Sequence, residues 1–285
     1  MPRPLLITGA TGTLGRAFAR ICDLRGLDHC LTSRAQLEIA EMASVAAALE
    51  RIRPWAVINT AGYVRVADAE REPERCFREN ARGAANLALA CARSGIPLVT
   101  FSSDLVFDGR LGRAYVESDA PRPTCVYGAS KLEAERFVSA ACPAALILRT
   151  SAFFGPWDPH NFVYHTLRAL AAGEEWPAAA DCTVTPTYVP DLVNASLDLL
   201  IDGETGIWHL ANRGAVSWGE LARLVAERGG FHPERVILHG TDRVQTSTAL
   251  GSARGFILPT LDSALDRFFR ESEQAWASGH ARPSR

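Results

Sequence analysis

The chain has 285 residues, 47% of them hydrophobic, and 30 basic against 32 acidic side chains give a formal charge of −2. That length allows one large or two small domains with a core of their own. Near-neutral charge argues against a dedicated nucleic-acid binder. No apolar run approaches a membrane span, and the N-terminal residues lack the three-part pattern of a signal peptide, so a cytoplasmic protein is expected.

Apolar runs and helical patterns alternate from the start. Pro4–Thr8 is a strand, Thr13–Arg25 a helix, His29–Thr32 a strand, Met42–Ile52 a helix and Trp55–Asn59 a strand. Pro73–Ser94 then reads as one long helix with an Ala/Leu/Cys face. Pro97–Phe101 is a strand, Tyr127–Ala141 a helix and Ala145–Leu148 a strand. Alternation at this spacing predicts βαβ units. Continuous apolar strands fit a doubly wound parallel sheet covered on both faces, the Rossmann type of α/β fold. After residue 150, prolines and glycines break the chain into shorter pieces. Helices are expected over Asn161–Ala172, Asp191–Ile201 and Leu261–Phe269, with a strand over Gly206–Leu210. Ser217-Trp-Gly-Glu220 matches a capping box and starts a further helix. The tail 278–285 is expected to lack regular structure. The division predicted is a nucleotide-binding part over 1–150 and a smaller, irregular α/β substrate-binding part over 151–285, with 185–211 returning to the main sheet.

Residues 8–15 read TGATGTLG, placing Gly9, Gly12 and Gly15 between the first strand and the first helix. In that context Gly9 permits the turn, Gly12 lets backbone approach a pyrophosphate and Gly15 lets helix and sheet pack closely. Thr11, Thr13 and Leu14 supply the helix-start backbone that faces phosphate. The second strand ends in Thr32-Ser33-Arg34 rather than an acidic residue. A hydroxyl and a guanidinium suit an adenosine 2′-phosphate, so NADP(H) is predicted over NAD(H).

The 30 basic residues comprise 29 Arg and one Lys, Lys131, four residues after Tyr127 in Tyr127-Gly-Ala-Ser-Lys131. Positions i and i+4 share a helix face. The ammonium is therefore expected beside the phenol, lowering its pKa from about 10 toward working pH, so that Tyr127 can trade a proton with a carbonyl oxygen. The fourth strand runs into Ser102-Ser103-Asp104, and Ser103 is the serine expected to hold that oxygen. Seven cysteines, at 22, 30, 76, 91, 125, 142 and 182, lie far apart with no zinc spacing. Buried free thiols are expected. His160, His165 and His209 form no ligand pattern with carboxylates, so no metal is expected. Trp157, Trp176, Trp208 and Trp218 are read as packing, and Arg149 as structural.

These motifs, with VINTAGYVRVADAE (57–70), IPLVTFSSDLVFDG (96–109), VYGASKLEAE (126–135), LRTSAFFG (148–155), NFV (161–163) and GIWHLAN (206–212), resemble the extended short-chain dehydrogenase/reductase superfamily. More closely, they resemble its dTDP-4-dehydrorhamnose reductase family. The resemblance spans nearly the whole chain in the family's order. It implies that Ser103, Tyr127 and Lys131 are catalytic. It also implies that Ala61, Gly62, Tyr63, Ser102, Thr150 and Ser151 line the cofactor site, with Asn80 supporting the loop there. Asp104, Val106, Phe107, Phe153 and Asn161 would meet substrate, and Arg254 is a candidate for a substrate diphosphate. The family reduces a 4-keto-6-deoxysugar attached to dTDP with a nicotinamide hydride donor; a homodimer is an open expectation.

Departures fall on the substrate side. Ala152 and Phe153 follow Arg149-Thr-Ser where the family has Trp, and Asp181-Cys-Thr-Val-Thr-Pro-Thr187 lacks the family's Gln and Gly. The Glu that holds a metal in some members is Ala17 here. Three readings stay open: an NADP-dependent reductase of a nucleotide-linked keto-deoxysugar, a reductase of another small carbonyl compound, and a non-catalytic NADP-binding regulatory subunit.

Overall fold

The computed structural model describes residues 3–241, 247–255 and 258–277; the tail 278–285 lies outside them. In chain order its strands and helices are β1 (Leu5–Thr8), α1 (Thr13–Arg25), β2 (His29–Thr32), α2 (Met42–Ile52), β3 (Ala56–Asn59), α3 (Val66–Ala69), α4 (Pro73–Phe77), α5 (Gly83–Ser94), β4 (Leu98–Ser103), α6 (Val126–Ala141) and β5 (Leu146–Thr150). The chain continues through β6 (Phe153–Phe154), α7 (Phe162–Ala171), β7 (Trp176–Ala179), β8 (Thr183–Val184), β9 (Thr187–Tyr188), α8 (Val189–Ile201), β10 (Gly206–His209), β11 (Val216–Ser217), α9 (Trp218–Arg228), β12 (Val236–His239) and α10 (Leu261–Ala277).

Two compact units emerge. The first contains residues 1–107, 120–149 and 193–208, the second 108–119, 150–192 and 209–285. A six-stranded sheet runs in the order β10-β5-β4-β3-β1-β2. β1 is parallel to both β2 and β3, and β3 to β4. Every residue of β1, β3 and β5 is buried, and each strand is an apolar run that turns polar only at its carboxyl end. The helices are amphipathic and bury one stripe each. Val45, Ala48 and Leu49 of α2, Leu87, Ala88 and Cys91 of α5, and Ala134 and Val138 of α6 share one core with Leu6, Val57 and Ile147 of the sheet. The chain winds from β1 outward to β2, then returns to β3 and proceeds the other way. The crevice at the carboxyl ends of β1 and β3 is therefore a topological switch point, the place where such sheets bind ligands.

A polar ladder pins that edge. Thr8 Oγ1 donates to Asn59 Oδ1 at 2.9 Å, and Asn59 Nδ2 donates to Thr100 Oγ1 at 3.3 Å. Thr8 Oγ1 in turn accepts from Thr60 N and Ala61 N. Buried donors and acceptors in mid-sheet are costly unless paired, so the ladder fixes one register for β1, β3 and β4.

The helix expected over Pro73–Ser94 is not continuous. Residues Arg78–Arg82 form a π-helical turn between α4 and α5, burying Glu79, Asn80 and Ala81 in succession. Such a turn closes i→i+5 bonds and inserts an extra residue into the helix. The cysteines are all free, as expected, but Cys30, Cys125 and Cys182 are only partly buried. In the second unit, α7, α9 and α10 pack Val163, Leu167, Leu221, Val225, Leu265 and Phe268 around Phe154 and Tyr188. The expected capping box is present: Ser217 Oγ accepts from Glu220 N, and Glu220 Oε2 from Ser217 N at 2.7 Å. Two-residue strands β6 with β9 and β8 with β11, and the pair β7 with β12, complete this unit. Such short pairings leave no periodicity to read in a sequence. Phe162 stacks on Trp176 and Trp218, whose rings pack as expected.

Helix ends supply one prediction. α1 and α5 end on Gly26 and Gly95 in the left-handed conformation, whereas α2 ends on Arg53 at φ 51° and ψ 54°. A side chain with a Cβ is strained there. Arg53→Gly is expected to stabilise the protein by about 0.5–1 kcal/mol in urea denaturation; a loss of stability would remove the argument.

Candidate active site

The cofactor candidates sit at the switch point. Gly9 has φ +84°, and a Cβ on Gly15 would fall 2.4 Å from Gly9 O, so both positions exclude side chains on internal grounds. At Gly12 a Cβ would meet only Gly9 O, at 3.4 Å. The protein's own packing does not demand glycine there, which leaves the demand to a group seated on the loop. Helix α1 begins at Gly12 with no side-chain cap and no acidic residue in its first turn. The backbone N–H groups at its start, around Thr13 and Leu14, thus keep their preference for an anion. Thr11 and Gly12 are exposed, Thr13 half-buried and Leu14 buried. The residues present fit a dinucleotide pyrophosphate. Ala10 N donates to Thr32 O at 3.0 Å, tying the loop to the end of β2 and bringing Ser33 and Arg34 alongside. Ser33 Oγ donates to Gln36 Oε1, and Arg34 is exposed but paired with Glu79.

The loop after β3 is built on Asn80. Its Oδ1 accepts from Tyr63 N at 2.9 Å and its Nδ2 donates to Ser130 Oγ at 2.9 Å; Ser130 Oγ donates to Tyr127 O. Asn80 therefore joins the Ala61–Tyr63 turn to α6. Gly62 is required by closeness, since a Cβ there would lie 2.6 Å from Asn80 Oδ1 and 3.7 Å from Lys131 Nζ. The Tyr63 hydroxyl donates to Glu72 Oε2 at 2.8 Å, turning its ring toward Arg65 and Arg75.

Ser103, Tyr127 and Lys131 come from the end of β4 and the first turns of α6. Ser103 Oγ donates to Asp104 Oδ1 at 2.9 Å and accepts from Leu105 N at 3.1 Å, capping a short 3₁₀ turn over Asp104–Val106. That turn presses against α6 at Gly128, where a Cβ would fall 2.0 Å from Leu105 O. Lys131 Nζ donates to Phe101 O at 3.2 Å and stands 5.7 Å from the centre of the Tyr127 ring. Burial, with Asp104 adding to it, raises the Tyr127 phenol above its ordinary value. Burial lowers the Lys131 ammonium to about 8, opposed by Cys76 and Glu135. The expected fall of the phenol pKa is thus corrected: desolvation and the Asp104 carboxylate raise it. Tyr127 is a protonated acid at neutral pH.

Other candidates are placed differently from the sequence reading. Ser102 Oγ donates to Glu135 Oε1 at 2.5 Å, so its hydroxyl is committed to a buried ion pair and not to the cofactor face. Val106 and Phe107 have no exposed surface, and the Arg149 guanidinium covers the Phe107 ring at 5.0 Å. Their side chains are core rather than substrate contacts. Asn161 caps α7: its Oδ1 accepts from Tyr164 N, and its Nδ2 donates to Gly155 O and Asp158 O. With donor and acceptor both used, it serves the helix start. Thr150 closes β5 and Ser151 follows, both buried, and Phe153 is half-buried in β6. Arg254 belongs to the second unit, where its N–H donates to Ser252 Oγ, which bonds Glu117. Asp104 lies buried in the turn capped by Ser103. His209 is buried with Nδ1 facing Tyr115 O and Gly251 O, and no group of metal-binding side chains occurs among the described residues.

The sequence reading took Arg149 as structural, which its buried ion pair supports, but missed its partner Glu135. Arg149, 2% exposed, pairs bidentately with Glu135, Nε to Oε1 at 2.8 Å and Nη2 to Oε2 at 2.7 Å. The available signal was spacing: Tyr127, Lys131 and Glu135 repeat at i, i+4 and i+8 on one helix face. It also missed Glu79, which reads as one charge in a charged run.

Comparison with known proteins matches residues 3–249 to the family described as RmlD substrate binding domain. The dTDP-4-dehydrorhamnose reductase of Streptomyces griseus is 34% identical over 275 residues, covering 93% of this chain and 86% of that protein. The enzyme of the same name from Mycobacterium tuberculosis H37Rv is 39% identical over 240 residues, or 81% and 77% of the two chains. The crystal structure of dTDP-4-dehydrorhamnose reductase from Bacillus anthracis in complex with NADP superposes with a TM-score of 0.89 at 31% identity, covering 95% of this chain and all of that one. UDP-glucose 4-epimerase of Thermus thermophilus, at 22% identity and TM-score 0.75, shares the fold.

Proposed function

From the premise that the chain belongs to the RmlD substrate binding domain family of dTDP-4-dehydrorhamnose reductases, we propose that it is an NADP-dependent reductase of the keto group of a nucleotide-linked 4-keto-6-deoxysugar. The observation that carries the reading is the Tyr127–Lys131 pair beside the Ser103 turn, one switch point away from an uncapped glycine loop. The non-catalytic alternative has no use for this group of side chains.

NADPH, when bound, supplies hydride to the carbonyl carbon. Gly9, Gly12 and the α1 start would hold its pyrophosphate, Ser33 and Arg34 its 2′-phosphate, and Ala61 and Gly62 its nicotinamide half. The Tyr127 phenol, kept protonated by burial, gives its proton to the carbonyl oxygen as charge develops there. Ser103 Oγ, bonded to Asp104, can turn its donor to the same oxygen. The Lys131 ammonium stabilises the phenolate left behind and offers donors to ribose hydroxyls. A cytoplasmic homodimer suits the donor and the free thiols. No helix among the described residues is long and apolar enough to cross a membrane.

The test is NADPH oxidation with a panel of dTDP- and UDP-linked 4-keto-6-deoxysugars. Turnover with a dTDP-linked member is expected. Tyr127→Phe should lower kcat by about 10²–10⁴-fold while NADPH still binds. Undiminished turnover in that variant would remove the mechanism, and turnover only with simple ketones would favour the second enzyme reading.

A further inference from the structure

The end of β2 and the π-helical turn meet through charge. Arg34 Nη2 lies 2.9 Å from Glu79 Oε2, and Arg34 Nε lies 3.9 Å from Glu38 Oε2. The partners differ in freedom: the Arg34 side chain is 57% exposed and that of Glu79 only 5%. The other oxygen of Glu79 takes Arg75 Nε at 2.9 Å. Arg78, on the same turn, pairs with Glu41 at 3.0 Å and reaches Glu38 at 3.8 Å. Burial raises the Glu79 carboxyl, but Arg34 and Arg75 outweigh it and leave the group below its ordinary value. Glu79 is a fixed anion at neutral pH.

This matters because Arg34 stands where cofactor choice is made. A 2′-phosphate approaching its guanidinium finds one edge occupied and the charge matched by a buried carboxylate. The carboxylate also repels the phosphate directly, in surroundings that screen less than water. A dinucleotide with only a 2′-hydroxyl brings no anion to that corner and loses nothing. We propose that Glu79 is a specificity-determining residue, holding Arg34 as a counter-ion and so restraining the preference for NADPH over NADH. The inference rests on the reading of Arg34 as the 2′-phosphate ligand and names the residue that tunes it. Arg75 acts in the opposite sense, by sharing Glu79 and weakening its claim on Arg34.

The experiment measures binding rather than turnover, so it does not depend on the substrate. NADPH and NADH are titrated by fluorescence, and adenosine 2′,5′-bisphosphate by calorimetry, on wild type, Glu79→Gln, Arg75→Ala and Arg34→Ala. Glu79→Gln keeps size and hydrogen bonding while removing charge. It is expected to tighten NADPH and the bisphosphate about three- to ten-fold and to leave NADH within about two-fold. Arg75→Ala, at a largely exposed position, should weaken NADPH by about two- to five-fold. Both effects should shrink in high salt. An unchanged NADPH-to-NADH ratio in both variants, or weaker NADPH binding in Glu79→Gln, would overturn the proposal; the latter would make Glu79 a support that aims Arg34. Should Glu79→Gln not fold, the sign of Arg75→Ala decides. Arg34→Ala should lose most of the NADPH preference. If it does not, the reading of Arg34 fails and the inference falls with it, a result distinct from an inert Glu79.

Discussion

Lys131→Arg is expected to lower kcat by about 10²–10⁴-fold with the fold intact and NADPH still bound. Charge is conserved in this substitution, so the loss measures shape. Lys131 Nζ reaches Phe101 O at 3.2 Å, and a Cβ on Gly62 would lie 3.7 Å from that nitrogen. A planar guanidinium is wider than an ammonium and presents its donors in a fixed fork. In a chain whose other 29 basic residues are arginine, this one position resists the exchange. A steady-state comparison at saturating NADPH reads the effect, and near-normal turnover would return Lys131 to the status of a compositional accident.

Lys131→Met gives the same site a thermodynamic readout. The folded-state ammonium titrates at about 8, below its ordinary value, because burial disfavours its charge. Below pH 8 the folded protein therefore bears a desolvation cost that methionine lacks. Between about pH 8 and 10.5 the unfolded chain binds a proton that the folded one does not, so wild-type stability rises with pH through that window. Lys131→Met should accordingly be more stable than wild type near neutrality, by on the order of 2 kcal/mol, with the gap closing above pH ~10.5. A gain of stability with a loss of rate would mark a residue kept for chemistry.

Glu135→Gln is expected to destabilise the protein by about 3–5 kcal/mol, because it leaves the fully buried Arg149 guanidinium without its counter-charge. Against a total stability of about 5–15 kcal/mol, that approaches unfolding. The pair joins three elements: Glu135 on α6, Arg149 at the end of β5, and Ser102 on β4 through its 2.5 Å bond. Breaking it frees the face of α6 that carries Tyr127 and Lys131. Replacing both partners, as Glu135→Leu with Arg149→Met, should recover most of the loss, since desolvation is then removed with the attraction. Urea denaturation of the two single variants and the double settles the point. A single-variant loss under about 1 kcal/mol would mean that water reaches the pair.

The sheet and its crossing helices were legible because strand and helix periods leave different marks: α1, α2 and β2 end where the apolar pattern ends. Tyr127 and Lys131 were legible because a helix converts spacing into a shared face. The π-helical turn was not, since the polar run Arg78-Glu-Asn-Ala-Arg82 reads alike in either kind of helix and only the backbone records the extra residue. Nor could Arg34 and Glu79 be matched, being joined by folding rather than by period. Val106 and Phe107 were misread for a related reason. A resemblance marks a segment as close to the substrate, but it does not say which side of the backbone each side chain takes.

The π-helical turn also bears on how such an enzyme can change. It carries two neighbouring residues with separate partners: Glu79 pairs with Arg34, and Asn80 holds the Tyr63 loop and Ser130. The settings are separable. Position 79 can vary its charge, and the balance of donors with it, while Asn80 keeps the catalytic helix in place. On the proposed role of Glu79, the choice of reductant can change without touching the groups that move the proton.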